Sequence, residues 1–301
     1  MASNIFILCP GQGAQIVGMG KALYDSSPAA KEIFEKANAI LGFDLTAICF
    51  NGPEERLNQT DVSQPAIYVT SVASFAHAIE SGMFDAAAVT AYAGLSLGEY
   101  TALHLAGVFG FEDGLRLVAL RGKYMQEAAT ATPSGMVALI GADEATALRL
   151  CAEAGGGEVL VPANYNAPGQ IVVSGSIGAC GRVAAAAEAM GLKAAILKVA
   201  GAFHSPLMQS GADKMKTELA KVPFAAPRKM VYSNVTAQPH GDPDRIKQLL
   251  VDQIVSPVRW EQTMQTLVGS GEPRFIELSP GRTLAGLAKR INRRLPVESI
   301  G

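Results

Sequence analysis

The chain has 301 residues, 49% hydrophobic and 17% charged, which suits one large α/β domain or a domain carrying an inserted subdomain. A formal net charge of −2 argues against a broad basic surface for nucleic acid, and no apolar run reaches the ~18 residues of a membrane span. Cys9, Cys49, Cys151 and Cys180 are scattered without a C-x-x-C pair, so they read as small buried hydrophobes in a reducing compartment rather than as disulfides or zinc ligands.

In chain order, Met1-Ala2-Ser3-Asn4 lacks a basic leader and runs into Ile5-Phe6-Ile7-Leu8-Cys9, a continuous apolar run expected of a strand buried on both faces. Pro10-Gly11-Gln12-Gly13-Ala14-Gln15 breaks it. A glycine-rich loop after a first strand raises dinucleotide binding, but Ile16 stands where the third glycine of that fingerprint belongs. A tight loop with exposed backbone donors remains, and a plain connecting turn reads equally well. Ala29–Leu41 is an amphipathic helix, and Pro65 suits the first position of a long apolar helix running to about Glu80.

Val89–Gly94 reads as a strand and a helix begins near Glu99. Between them Gly94-Leu95-Ser96-Leu97-Gly98 has the G-x-S-x-G spacing of a nucleophile elbow, a strained strand-to-helix turn that lifts a serine clear of the sheet. The spacing alone also arises by chance; strand before and helix after favour the elbow. The helix N-terminus favours negative charge beside Ser96, and the Leu97 N–H is a natural oxyanion donor. A further helix over Glu112–Thr130 carries Arg121 and Met125 on one face.

From Pro133 to Val199 the pattern changes. Met136–Ile140, Glu158–Ala163, Gln170–Ser174 and Ala194–Val199 read as strands, and Glu144–Ala154 and Ile177–Met190 as helices, with a turn at Asn166-Ala167-Pro168-Gly169. This βαββαβ order is the ferredoxin-like motif. The expected division is an α/β-hydrolase-like part with a parallel sheet over 1–132 and 200–301, and an inserted ferredoxin-like subdomain over 133–199. After the seam come a helix Leu207–Lys221, a strand Met230–Ser233, a helix Asp244–Gln253, another helix opening near Trp260, a strand Phe275–Leu278 and a helix Thr283–Ile291. Strand–helix alternation outside the insert supports a parallel sheet covered on both faces.

A serine hydroxyl needs a base to become a nucleophile, and the chain has four histidines. His77 sits within a helix. His104 lies eight residues past Ser96, about 12 Å along the elbow helix. His204, in Gly201-Ala202-Phe203-His204-Ser205 at the seam where clefts form, is the first candidate from position, and His240, in a Pro/Gly/Asp loop, is the runner-up. No carboxylate offers itself as the third member; a backbone carbonyl or an amide near Gln253 could orient the base.

Assembled, these segments resemble the malonyl-CoA:acyl-carrier-protein transacylases, acyltransferases of fatty-acid synthesis, over essentially the whole length. The resemblance rests on Pro10-Gly11-Gln12-Gly13-Ala14-Gln15, Gly94-Leu95-Ser96-Leu97-Gly98-Glu99-Tyr100, Arg121-Gly122 with Met125-Gln126, Asn164-Tyr165-Asn166-Ala167-Pro168-Gly169-Gln170, Gly201-Ala202-Phe203-His204-Ser205 and Val255-Ser256-Pro257-Val258-Arg259-Trp260, in that order. It implies Ser96 as nucleophile, His204 as base, Gln12 and Leu97 backbone N–H as oxyanion donors, and Arg121 as the grip on a malonyl carboxylate. It further implies Gln253 and its backbone as the orienter of His204, with Gln64, Met125, Asn164 and Asn166 around the pocket. Phe203 matches the malonyl-selecting form of the histidine motif. By residue type alone Arg121 would read as a surface arginine lying along its helix.

Two positions depart from the family pattern: Leu95 where histidine is usual, and Ser279-Pro280-Gly281 for Gly-Pro-Gly. The implied reaction is ping-pong transfer of malonyl from malonyl-CoA to a carrier-protein thiol, without metal or cofactor, in a cytoplasmic or organellar monomer. An acyl-thioester hydrolase of the same architecture, a polyketide-synthase acyltransferase and a non-catalytic binding module are the competing readings.

Overall fold

The computed structural model describes residues 4–270 and 274–301; residues 1–3, expected to lead into the first strand without a basic leader, lie outside them. The fold is α/β and is built on two sheets.

Strands β1 (Ile5–Cys9), β2 (Val89–Gly94), β7 (Met230–Val231), β8 (Arg274–Leu278) and β9 (Val297–Ile300) form one, and β3 (Ser134–Ile140), β4 (Leu160–Ala167), β5 (Gln170–Ser176) and β6 (Lys193–Ile196) the other. The first sheet is wholly parallel, in the order β7-β2-β1-β8-β9. In the central strand β1, Ile5, Ile7 and Cys9 join one apolar cluster and Phe6 and Leu8 another on the opposite face. That double burial is why its sequence is apolar without alternation. All five strands run the same way, so the loops after β1 and β2 leave from one edge of the sheet, the carboxyl edge at which parallel α/β sheets carry their ligand sites.

The second sheet is antiparallel, in the order β4-β5-β3-β6. Its side chains alternate with period two. Val137 and Leu139 of β3 pack with the helices Glu144–Gly155 and Ile177–Ala189, while Met136 and Ala138 face the core shared with the parallel-sheet part. The βαββαβ order over these residues is therefore present.

Several boundaries differ from the sequence reading. The long helix starts at Thr60, leaving Pro65 inside it rather than at its first position. This helix is buried along most of Thr60–Ser74, and tertiary packing outweighs the local proline signal. β4 begins at Leu160 and continues through Asn166 and Ala167, because it pairs with β5 up to the Ala167–Gln170 register. β6 is Lys193–Ile196, and β7 stops at Val231, with Ser233 turning back to accept from Ala237 N–H. The short helices Lys21–Ser26, Leu45–Asn51 and Glu54–Leu57 and the edge strand β9 were not expected. The helix Thr283–Ile291 has the expected bounds.

Candidate active site

β2 ends at Gly94, and the helix Gly98–Leu105 starts four residues later. Ser96 sits between them with φ 52°, the left-handed region that non-glycine residues seldom occupy. The flanking glycines make the turn possible. A Cβ on Gly94 would lie 1.9 Å from the Gly98 carbonyl carbon, and one on Gly98 would lie 2.1 Å from Cys9 O. Gly11 is held equally close, 2.3 Å from its virtual Cβ to Leu95 O. The loop after β1 is thereby pressed against the elbow, which places Gln12 in the same cleft as Ser96. The N–H groups of Gln12 and Leu97 donate to no protein acceptor among the described residues.

Asn234, which the sequence reading did not single out, braces the turn from behind. Its Oδ1 accepts from Ser96 N–H at 2.6 Å and its Nδ2 donates to Gly94 O at 2.7 Å.

His204 Nε2 lies 2.8 Å from Ser96 Oγ. Its Nδ1 lies 2.7 Å from the backbone carbonyl of Gln253. A carbonyl can only accept, so Nδ1 carries the proton and Nε2 presents its lone pair to the serine. His204 is buried and also has positive φ, 59°. Burial and then the neighbouring Arg121 charge push its pKa down to about 4, against the bonds to the Gln253 and Ser256 backbone, so the imidazole is a neutral acceptor at neutral pH.

Arg121 is 1% exposed. Nη1 donates to Gln64 Oε1 at 2.8 Å, and Nη2 donates to Gln253 Oε1 at 2.9 Å and to Ser96 Oγ at 3.0 Å. The guanidinium lies 5.6 Å from the centre of the Tyr100 ring. Burial lowers its pKa, with Tyr100 and Glu99 opposing the shift. Arg121 Nε is buried without a protein partner. A fixed cation with unsatisfied N–H groups beside a serine hydroxyl can pair with an anionic group brought to that serine.

These groups open onto a cleft of about 510 Å³. One wall, from the parallel-sheet part, carries Gln12, Ser96, Arg121, Met125, Phe203 and His204; Met136, Asn164, Asn166 and Val172 of the antiparallel sheet line the other. Leu95, the departure from the family pattern, lies at this cleft.

Gln64 does not line the cleft. It is fully buried behind Arg121, and its Nε2 lies 3.6 Å from Met125 Sδ. Gln253 meets His204 through its backbone carbonyl, as expected, while its side chain turns to Arg121, Ser96 O and Glu99. The other histidines are placed elsewhere. His77 lies in the last turn of its helix, His104 Nδ1 is 3.1 Å from Phe109 O, and His240 Nε2 is 2.6 Å from Glu99 Oε1. All four cysteines are free and buried, with thiol pKa values raised by burial, far from nucleophilic use. No group of three or more His, Cys, Asp or Glu side chains is arranged to hold a metal among the described residues.

Comparison with known proteins agrees with this geometry. The acyl transferase domain family matches residues 5–298. The malonyl CoA-acyl carrier protein transacylase of Escherichia coli (strain K12) is 42% identical over 283 residues, 94% of this chain and 91% of that protein. The crystal structure of an acyl-carrier-protein S-malonyltransferase from Bartonella henselae superposes with a TM-score of 0.95 at 37% identity, covering 99% of this chain and 95% of that one. A type II polyketide-synthase acyl-carrier protein in complex with its malonyl-transacylase gives a TM-score of 0.93 at 38% identity, covering 99% and 96%. With a serine on a strand-to-helix elbow, a neutral imidazole on its hydroxyl and a buried arginine beside both, the chain belongs to the acyl transferase family, among the malonyl CoA-acyl carrier protein transacylases.

Proposed function

We propose that the protein moves a malonyl group from malonyl-CoA to the thiol of a holo acyl carrier protein through a malonyl-serine intermediate. The observation that carries this reading is Arg121, a buried cation within hydrogen-bond reach of the serine that His204 activates.

In the first half-reaction Ser96 Oγ forms a bond to the thioester carbonyl carbon and its proton passes to His204 Nε2. The developing oxyanion is met by the Gln12 and Leu97 N–H groups, a contribution on the order of 3 kcal/mol per donor. Collapse breaks the C–S bond, and the leaving thiolate takes the proton from His204. In the second half-reaction the carrier thiol gives its proton to His204 and its sulfur attacks the acyl carbon; the bond to Ser96 Oγ breaks, and Oγ takes the proton back from His204.

Arg121 sets the substrate class. A malonyl carboxylate can take paired N–H bonds from the guanidinium. An acetyl group offers nothing to the charge and leaves it desolvated without an anion, a penalty of a few kcal/mol. Met125 and Phe203 supply apolar wall, and Asn164 and Asn166 polar contacts on the opposite side. Each group the chemistry calls on is a side chain or backbone N–H of this one chain, so the reading needs neither metal nor cofactor and is compatible with a monomer.

In the same reading, 1–132 with 200–301 and 133–199 act as two subdomains flanking the cleft, in fatty-acid synthesis in the cytoplasm. No helix among the described residues is long and apolar enough to cross a membrane.

The test is competition between acceptors. With malonyl-CoA and holo carrier protein, the malonyl group is expected on the carrier thiol far faster than free malonate appears. Release of malonate at the same rate with and without carrier protein would instead make the protein a thioester hydrolase.

A further inference from the structure

A buried carboxylate behind the elbow is not used by the chemistry above. Glu99 is wholly buried in the first turn of the helix that follows Ser96. Its Oε1 faces His240 Nε2 at 2.6 Å, and the two side chains are 0% and 1% exposed. Its Oε2 accepts from Asn234 N–H at 3.0 Å and from Gln253 Nε2 at 2.7 Å.

The Gln253 amide has two ends that could exchange by rotation, but its surroundings allow only one orientation. Ser96 O, 3.0 Å from one end, is a backbone carbonyl that can only accept, and Glu99 Oε2 lies 2.7 Å from the same end. Arg121 Nη2, 2.9 Å from the other, can only donate. With NH₂ facing Glu99, the amide oxygen faces Arg121. The same residue's backbone carbonyl receives His204 Nδ1–H. Gln253 therefore touches the base, the arginine and the nucleophile's own carbonyl, and Glu99 Oε2 makes the shortest of the contacts that hold the NH₂ end of its amide. His240 occupies the other carboxylate oxygen, so Glu99 cannot turn away without leaving a buried group unpaired.

We propose that Glu99 is a positioning residue for acyl selectivity: held by His240, it locks the Gln253 amide so that its oxygen fixes the Arg121 guanidinium beside Ser96. The effect requires an acceptor at that position more than a charge. The inference rests on the reading of Arg121 as the carboxylate receptor.

The experiment measures kcat/KM for malonyl-CoA and acetyl-CoA in the wild type, Glu99→Ala, Glu99→Asp and Glu99→Gln, each checked for cooperative thermal unfolding. Glu99→Asp keeps the charge but withdraws the acceptor by one methylene, and serves where Glu99→Ala does not fold. Glu99→Gln keeps the reach and a carbonyl oxygen that can still accept from Gln253 Nε2.

The malonyl-over-acetyl ratio is expected to fall about tenfold or more in Glu99→Ala and Glu99→Asp and to stay within about threefold of wild type in Glu99→Gln. A ratio unchanged in Glu99→Ala and Glu99→Asp, with both substrates slowed alike, would reduce Glu99 to a structural part and overturn the proposal. A ratio that collapses in Glu99→Gln would overturn it as well, because charge rather than acceptor placement would then be decisive. A wild type with no malonyl preference would remove the reading of Arg121 itself, an outcome distinct from either.

Discussion

Arg121 Nη2 lies 3.0 Å from Ser96 Oγ, so the cation proposed to read the far end of the acyl chain also touches the hydroxyl proposed to attack its near end. In that reading substrate recognition and nucleophile placement share one buried side chain. Removing it should therefore separate two properties that are coupled in the wild type. Arg121→Ala is expected to keep an acyl-serine reaction but to lose malonyl preference, with kcat/KM for malonyl-CoA falling about a hundredfold or more relative to acetyl-CoA, as loss of a few kcal/mol of carboxylate pairing requires. Steady-state kinetics on the two thioesters measure it; an unchanged ratio contradicts the assignment of Arg121.

The pH profile follows from the same proximity. His204 acts only when neutral, and burial together with Arg121 holds its pKa down at about 4. Below that pH the base carries a proton and acylation stops; above it the base is free. For the wild type, kcat/KM for malonyl-CoA should show no acid limb near the ordinary histidine value of about 6.5. Arg121→Met, which keeps bulk and removes the charge, should move the acid limb upward. It should stay below the ordinary value, because burial remains. An acid limb near 6.5 in the wild type contradicts the environment described for His204.

The glycines of the elbow give a steric prediction. A methyl on Gly98 would meet Cys9 O at 2.1 Å, a backbone atom of the central strand that cannot move cheaply. Gly98→Ala is expected to lower stability by about 1–3 kcal/mol and to slow acylation about a hundredfold by displacing Ser96. Gly286, in the helix Thr283–Ile291, has nothing within 4 Å of its virtual Cβ, so Gly286→Ala should be neutral or stabilising by up to about 1 kcal/mol. Thermal unfolding and burst kinetics of the two variants, side by side, check this. Equal behaviour would contradict the packing described at the elbow.

Local features were legible in the sequence and contacts between distant residues were much less so. The elbow could be read because strand, glycines and helix stand within a few residues of Ser96 and each has a local steric reason. The helix Thr283–Ile291 could be read because its apolar stripe is set by its own period. His204 is 108 positions from Ser96; its place at the seam favours it over His240, the resemblance assigns it, and the 2.8 Å contact agrees.

The start of the long helix was misplaced at Pro65 because burial of its first turn overrides a local rule. The resemblance puts Gln64 at the cleft, whereas its side chain packs behind Arg121. Asn234 carries no signal in the sequence, since an asparagine in a turn looks ordinary until it is found bonded to Gly94 and Ser96 of the elbow. β9 is a four-residue edge strand with polar residues at its centre, too short and too mixed to stand out from a tail.

In the proposed reaction Ser96 carries the acyl group between two thiols. The most direct measurement is intact-protein and peptide mass spectrometry after brief exposure to malonyl-CoA, then after addition of holo carrier protein. An increment of about 86 Da is expected on the peptide containing Ser96, absent from Ser96→Ala, and it should disappear as the same mass appears on the carrier protein. An adduct on another residue, or transfer to the carrier by Ser96→Ala at the wild-type rate, would contradict the account.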